Sequence, residues 1–470
     1  MQAIVTPTAA IPRPKHFPAL ARLEALLFAP VEVLPLVYLR VIFGAVMMWE
    51  VWRYFHHGWI RRYYIDTVFT FKYYGFEWVQ PLPGAGMYAW FIGLGVLAFC
   101  ILIGFAYRPA VILFFFGFSF VFLLDQANYL NHFYLVCILA FILIFLPANR
   151  AFALDSWLRP KLRAETAPRW TLRLLQFQLL LVYVYAGVAK LNVDWLRGEP
   201  MRMWLAERTA TPLIGQWFTE EWMVYLFSYG GLMIDLLAAP ALLWKRTRWP
   251  ALIALISFHL LNGQLFNIGI FPWLMLAMLP LLLPTEWLAQ PLRRLRLQSG
   301  YAPTKPHAMF QPRRLITAAL IAFAAFQLLF PLRHWLYPGD VAWTEEGHRF
   351  SWRMKLRDKA SDARFFVYSG ADWWEIDLRQ HLSARQIDEM STRPDMILQF
   401  AHYLRDAMHQ QGYQNVRVTA WVVASLNGRE ARLLIDPNAD LAAATRPLFG
   451  SADWIMPLDS PQGVVAQVRN

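Results

Sequence analysis

Lys190 closes a long apolar run in YVYAGVAKLNVDW, residues 183–195, and Asn192 and Asp194 follow at once. An ammonium at the end of a membrane segment has two readings. As an anchor, it reaches for water and headgroups along its own stem. As a base, it is held out of water, where an amine loses its preference for the charged form and can take protons near neutral pH. Other polar residues gather in comparable settings. In LLDQANYLNHFYL, Asp125, Asn128 and His132 fall at i, i+3 and i+7, one face if a helix continues through them. In FHLLNGQLFNIG, His259, Asn262 and Asn267 recur at helical spacing, with Gln264 nearby. Arg40 and Asp235 also lie in apolar runs and read as a structural ion pair. Ionisable groups inside a membrane are costly, so each is a functional candidate. Against this, a lone histidine on an apolar face is commonly a core residue, and amides in spans commonly hold helices together.

The chemistry open to such a set is narrow. His56-His57 is the one adjacent histidine pair, and no HxxH or HExxH occurs, so no metal site is expected. No GxSxG, P-loop or GxGxxG in a strand–helix setting is found. What remains is acid–base chemistry in an apolar site.

The elements that would position these residues are membrane helices. Of 470 residues, 57% are hydrophobic and 16% charged, well below the roughly 25% charge of soluble domains. Nine apolar segments are expected to span, at 34–51, 86–106, 109–124, 132–147, 172–189, 222–244, 250–266, 269–284 and 315–335. The Pro-rich N-terminus has no apolar core and is not a signal peptide; residues 18–30 read as an amphipathic helix on the membrane surface. Cys100 and Cys137 both fall inside apolar runs, so no disulfide is expected.

The net charge of +12 belongs to loops between spans, which speaks for topology and against a nucleic-acid partner. One face collects Arg13, Lys15 and Arg22, Arg108, the cluster from Arg159 to Arg173, Lys245 to Arg248, and Arg293 to Arg314. The other holds Arg53, Arg61, Arg62, Lys72, Lys190, Arg197, Arg202 and Arg208. The positive-inside rule then puts the N-terminus in the cytoplasm and, after nine spans, the C-terminal part outside. By that topology the ends of spans three, five and seven and the start of span four meet at the outer leaflet.

Residues 1–335 are thus expected to form a multi-helix membrane domain and residues 336–470 an extracytoplasmic, β-rich domain, either a β-sandwich or mixed α/β. RFFVYSG and WWEIDL alternate like strands. RPDMILQFAHYLRDAMHQQG reads as an amphipathic helix. VTAWVVASLNGREARLLID reads as a hairpin with Asn427-Gly428 as its two-residue turn.

Taken together, YVYAGVAKLNVDWLRG, YLNHFYL, YGGLMIDL, FHLLNGQLFNIGIFPWLML, FSWRMKL and WVVASLNGREARLLIDP resemble the vitamin K-dependent γ-glutamyl carboxylase family. The membrane part is similar to its horizontally transferred transmembrane (HTTM) domain. The matches run in order from about Arg40 to about Leu458. The resemblance implies an enzyme in which an amine base takes a proton from reduced vitamin K. Reaction with O2 then generates a strong base and leaves the quinone epoxide. The γ-proton of a protein glutamate is removed, and CO2 adds. The family's base lysine falls on Lys190, and the histidine of its Asn-His pair, which would assist the carbanion step, on His132, preceded by Asn131; Lys190 would be the catalytic base and His132 its catalytic partner. The FHxxN residues fall on His259 and Asn262. With Asn131, Gln264 and Asn267, these two would line the quinone pocket. No metal is implied.

The chain is shorter after the membrane domain than animal carboxylases, which puts propeptide recognition in doubt. Its compactness suggests a bacterial homologue in the inner membrane. Menaquinol would then be the alternative quinol, the C-terminal domain would be periplasmic rather than lumenal, and a quinone reductase would be a further partner. Three other readings stand beside this one. The first is a quinol-linked oxygenase without carboxylation. The second is a transporter or sensor using Arg40, Asp125, Lys190 and Asp235 as a charge relay. The third is an inactive scaffold.

Overall fold

The computed structural model describes residues 18–266, 268–294, 312–447, 450 and 452–459. Helix occupies each of the nine predicted segments. Among the described residues, five helices are long and apolar enough to cross a membrane: Leu34–His56, Ala85–Ile103, Arg169–Ala189, Glu221–Ala241 and Arg313–Leu336. This is an integral membrane protein. Tyr107–Leu123, Asn131–Phe145 and Phe271–Leu282 are shorter apolar helices. At about 1.5 Å per residue they fall short of a hydrocarbon core of about 30 Å. Arg248–Leu265 is a continuous helix, but His259, Asn262 and Gln264 interrupt its apolar run. Nine crossings therefore do not follow from the helices alone.

The Pro18–Phe28 helix is largely exposed and meets the last long helix, where Arg313 lies over the Phe28 ring at 5.3 Å.

The helix expected to carry Asp125, Asn128 and His132 on one face breaks instead. Tyr107–Leu123 ends, a single 3₁₀ turn follows at Gln126–Asn128, and a new helix starts at Asn131. The break follows from Asp125, whose carboxylate accepts from the backbone N–H of Ala127 (2.9 Å) and of Phe71 (3.2 Å), competing with helix continuation. Its other oxygen accepts from Gln386 Nε2 at 3.0 Å. Gln386 is itself half of a capping box with Ser383 that starts the Ala384–Ser391 helix. Asp125 is thus a clamp between the two halves of the chain.

The C-terminal half is a mixed α/β unit, not a β-sandwich: the described residues form one four-stranded antiparallel sheet here. Its order is Asp372–Glu375, Lys359–Ser369, Arg417–Leu426, Arg432–Leu433. Period-two alternation sends Phe365, Val367, Val418, Ala420 and Val422 into one core. The apolar stripe of the Pro394–Gln410 helix, Ile397, Phe400, Ala401 and Leu404, shares that core.

Asn427-Gly428 forms the expected turn, with φ of 53° and 74° and Arg429 N–H donating to Leu426 O at 3.1 Å. The register does not close on two residues, however. Val423 pairs with Leu433 and Ala424 with Arg432, which leaves an extra residue on the return strand.

Between the last long helix and the sheet, residues 347–357 dip back into the membrane half. Trp352 is fully buried there against Tyr134, with ring centroids 5.0 Å apart, and Phe350 N–H donates to the Tyr129 hydroxyl at 2.7 Å.

Candidate active site in the membrane half

The Arg169–Ala189 helix ends at Lys190 because the chain turns there. Asn192 caps the next short helix, accepting from Trp195 N–H at 3.0 Å, and its amide donates back to Ala189 O at 2.9 Å. The turn folds Trp195 inward. Its indole N–H donates to Ser228 O at 2.9 Å, and its ring centroid sits 5.1 Å from the Lys190 ammonium.

Lys190 does not reach outward. It is 6% exposed and forms an ion pair with Asp235, which is 4% exposed. Two local features bring them together. Gly187 has no side chain, and a Cβ there would meet the Leu236 side chain at 2.6 Å and its backbone nitrogen at 3.0 Å, so the two helices touch. Asp235 also lies in a π-helical turn, Ile234–Ala238, which breaks the α repeat inside the Glu221–Ala241 helix.

The expected pairing of Asp235 with Arg40 is therefore corrected. Arg40 is fully buried and donates to the carbonyls of Leu102 (2.9 Å), Phe152 (2.5 Å) and Ile101 (3.2 Å). Both residues sit in apolar helices, and only the helix rotations decide which cation Asp235 meets.

Lys190 and Asp235 form part of the wall of a cavity of about 340 Å³. His259 and Asn262 also line it, one helical turn apart. His259 Nε2 lies 2.6 Å from the Tyr183 hydroxyl, while Nδ1 is buried without a hydrogen-bond partner among the described residues. The remaining wall is almost wholly apolar. Leu226 and Leu261 contribute to it and are themselves exposed, so the cavity wall is not wholly enclosed.

The other predicted residues are placed differently. His132 is buried but does not line the cavity, and it is not the partner of Lys190. Phe271 bridges the two regions, its ring centroid 6.2 Å from the His132 imidazole and 6.1 Å from that of His259. Asn131 accepts from the Tyr129 hydroxyl at 2.9 Å, away from the cavity wall. Gln264 is exposed and lies off the wall as well. Asn267 lies outside the described residues.

Sequence reasoning also missed partners. Glu50, 2% exposed, pairs with Arg53 at 2.6 Å inside the first long helix, and Arg53 lies near His132. Their i, i+3 spacing in an apolar run was the available signal. Asp194 receives Asn427 Nδ2 at 2.6 Å and Arg429 Nη1 at 2.7 Å from the hairpin tip, a contact across more than 230 residues that no local pattern announces.

Chemically, the Lys190–Asp235 couple can hold one labile proton between nitrogen and oxygen. Its two forms, ammonium–carboxylate and amine–carboxylic acid, are both neutral overall, which an apolar cavity tolerates better than a lone charge.

The HTTM domain family matches residues 28–287, more than half of the chain, and the lumenal domain of vitamin K-dependent gamma-carboxylase matches residues 312–461. The chain belongs to the vitamin K-dependent gamma-carboxylase family. No solved structure matches it. Membership supports a gamma-carboxylase-like function with a glutamate-containing substrate, in the membrane. In this carboxylase-family chain the cavity lies within the HTTM match, while Met354 and Lys355 reach its wall from the lumenal-domain match.

Proposed function

We propose that this protein is a vitamin K-dependent γ-glutamyl carboxylase that couples oxygenation of a lipid quinol to carboxylation of protein glutamate. The observation that carries the reading is the Lys190–Asp235 couple on an apolar cavity whose wall includes the exposed Leu226 and Leu261. The residues present fit a quinol. An apolar cavity of this size accepts a flat ring system. The orphaned His259 Nδ1 and the Asn262 amide offer polar partners for ring oxygens. Exposed Leu226 and Leu261 give a lipid tail a way in.

When bound, reduced vitamin K or menaquinol supplies, with O2, the strong base that the glutamate requires and leaves as its epoxide. Lys190, oriented by Asp235, takes the hydroxyl proton. Tyr183 fixes the His259 ring through Nε2 and leaves Nδ1 without a partner among the described residues. Trp195 shields the ammonium from water. His132 does not line this cavity, and its catalytic part is proposed at the carbanion step, away from the quinol. We further propose nine crossings with a cytoplasmic N-terminus, a division near residue 335, and a C-terminal domain on the outer side, where it presents the peptide. The bacterial inner membrane and a partner quinone reductase complete this reading.

The test uses purified protein in lipid with reduced vitamin K, O2, labelled bicarbonate and a short Glu-containing peptide. Epoxide and fixed label are measured together. Both products are expected, and both are expected to vanish with Lys190→Ala. Epoxide without label would identify a quinol oxygenase with another substrate. Neither product from folded protein, over several quinols, would overturn the reading.

A further inference from the structure

Lys355 brings a second lysine to the cavity that holds Lys190, from the opposite half of the chain. Its ammonium rests over two rings, 5.1 Å from the centroid of Trp204 and 5.8 Å from that of Phe266. Such a cradle positions a cation without neutralising it. The carboxylates of Asp358 and Glu207 act on Lys355 in favour of its ammonium form, and Arg208 and Arg357 act against it, but none is in ion-pair contact with it. Arg349 pairs with Asp395, Arg357 pairs with Glu345, and Lys359 donates to the carbonyls of Trp343 and Thr392. Asp358, three residues on, accepts from Trp204 Nε1 at 2.7 Å. Among the described residues, no carboxylate forms an ion pair with Lys355.

The backbone is built to aim this side chain. Lys355 has φ of 48°, in the left-handed region that residues with a side chain rarely enter, as do Trp352 at 57° and Phe350 at 63°. The buried Trp352 ring pins the segment in that shape. Lys355 is exposed, at the open end of its aromatic cradle, and partial desolvation draws its amine somewhat below the usual lysine range. Across the cavity the Lys190–Asp235 couple is neutral overall, so it does not repel an anion.

We propose that Lys355 binds the side-chain carboxylate of the substrate glutamate and so determines that the cavity accepts Glu. The proposal rests on the carboxylase reading above, and it adds the group that recognises the acid. A carboxylate suits the site because a single ammonium with free N–H donors meets it at the wall nearest the C-terminal domain.

The test is equilibrium binding to the full chain in neutral phosphatidylcholine nanodiscs. The probes are a fluorescent pentapeptide containing one Glu and its Gln twin. Wild type is expected to prefer the Glu peptide about ten- to a hundredfold, the range of a charge-assisted contact. Lys355→Met is expected to abolish the preference and leave the Gln twin's affinity intact. Lys355→Arg is expected to keep most of it. A preference that survives in Lys355→Met overturns the proposal, as does an equal loss for both peptides or a wild type without preference. Loss of the preference in phosphatidylglycerol discs would assign Lys355 to a lipid phosphate and overturn it too. Because the readout is binding, it separates from turnover. Selective Glu binding without label fixation tells against the carboxylase reading alone. Label fixation with a surviving preference in Lys355→Met tells against Lys355 alone.

Discussion

The membrane half buries Lys190 against Asp235 on the wall of an apolar cavity, whereas the C-terminal half buries Glu345 and Asp395, and half-buries Lys359, inside packed structure. Glu345 contacts Arg357 at 2.6 Å and His348 at 3.6 Å. Burial pushes its carboxyl up, but Arg357, His348 and Lys359 outweigh that and hold it down at about 2. Asp395 is shared by Arg349 at 2.5 Å and Arg446 at 3.1 Å. Lys359 is drawn down to about 7 by burial, its amine donating to two carbonyls. Burial and perturbation are thus common to both regions. What differs is whether space for a reactant adjoins the charge. A perturbed group is a functional candidate only where it lines a site.

Breaking the membrane couple should have the largest effect on chemistry. Lys190→Ala should lower epoxide formation at least about a hundredfold, the range of a lost acid–base group, with size-exclusion and thermal melting as checks on the fold. Asp235→Asn should lower it about tenfold or more. The double variant should be no worse than Lys190→Ala, since two residues acting as a unit are not additive. Additive losses in steady-state epoxide assays would separate the pair.

The charged core should respond in stability instead. Arg349→Met leaves Asp395 with Arg446 alone and should cost about 3 kcal/mol, read as a lower melting temperature, with epoxide turnover per folded molecule unchanged. Gly187→Ala should cost about 1–3 kcal/mol by overpacking against Leu236, and it should lower turnover as well, because the same contact sets Asp235 against Lys190.

The smallest effect sharpens the comparison through pH. Burial raises the Glu346 carboxyl from 4.5 to about 7. Between those values the folded chain holds a proton that the unfolded chain has lost. This group's contribution is therefore fully present below pH 4.5 and is lost as pH rises through 7. Glu346→Gln should gain melting temperature relative to wild type at pH 8 and not at pH 4.5. An equal difference at both pH values would count against the raised carboxyl.

Much of this was legible in the sequence because it is written locally. Apolar runs located the long helices of the membrane half, since length and hydropathy act residue by residue, but not short ones such as Val193–Leu196 and Met201–Ala206. The sheet strands and the Asn427-Gly428 turn followed from alternation and from φ preference. Lys190 was legible as a buried polar candidate, as were His259 and Asn262 one turn apart. Other expectations failed where two distant elements had to be oriented. Asp125 was read as a helix-face residue and is a clamp to Gln386. His132 and Asn131, expected at the depth of Lys190, lie off its cavity wall.

The sequence by itself determined that this chain is a membrane protein with a folded, strand-containing C-terminal unit, and the structure decided that this unit is mixed α/β. Its ordered motifs were enough to indicate the family. Those properties sum over local patterns of hydropathy, spacing and motif order. Only the tertiary structure decided that Asp235 meets Lys190 and not Arg40, that Arg429 grips Asp194, and that Lys355 enters the cavity from a segment outside the spans. Each depends on the rotation, depth and close approach of elements far apart in the chain. Those are set by packing, such as the bare surface of Gly187 against Leu236, which no window of sequence contains.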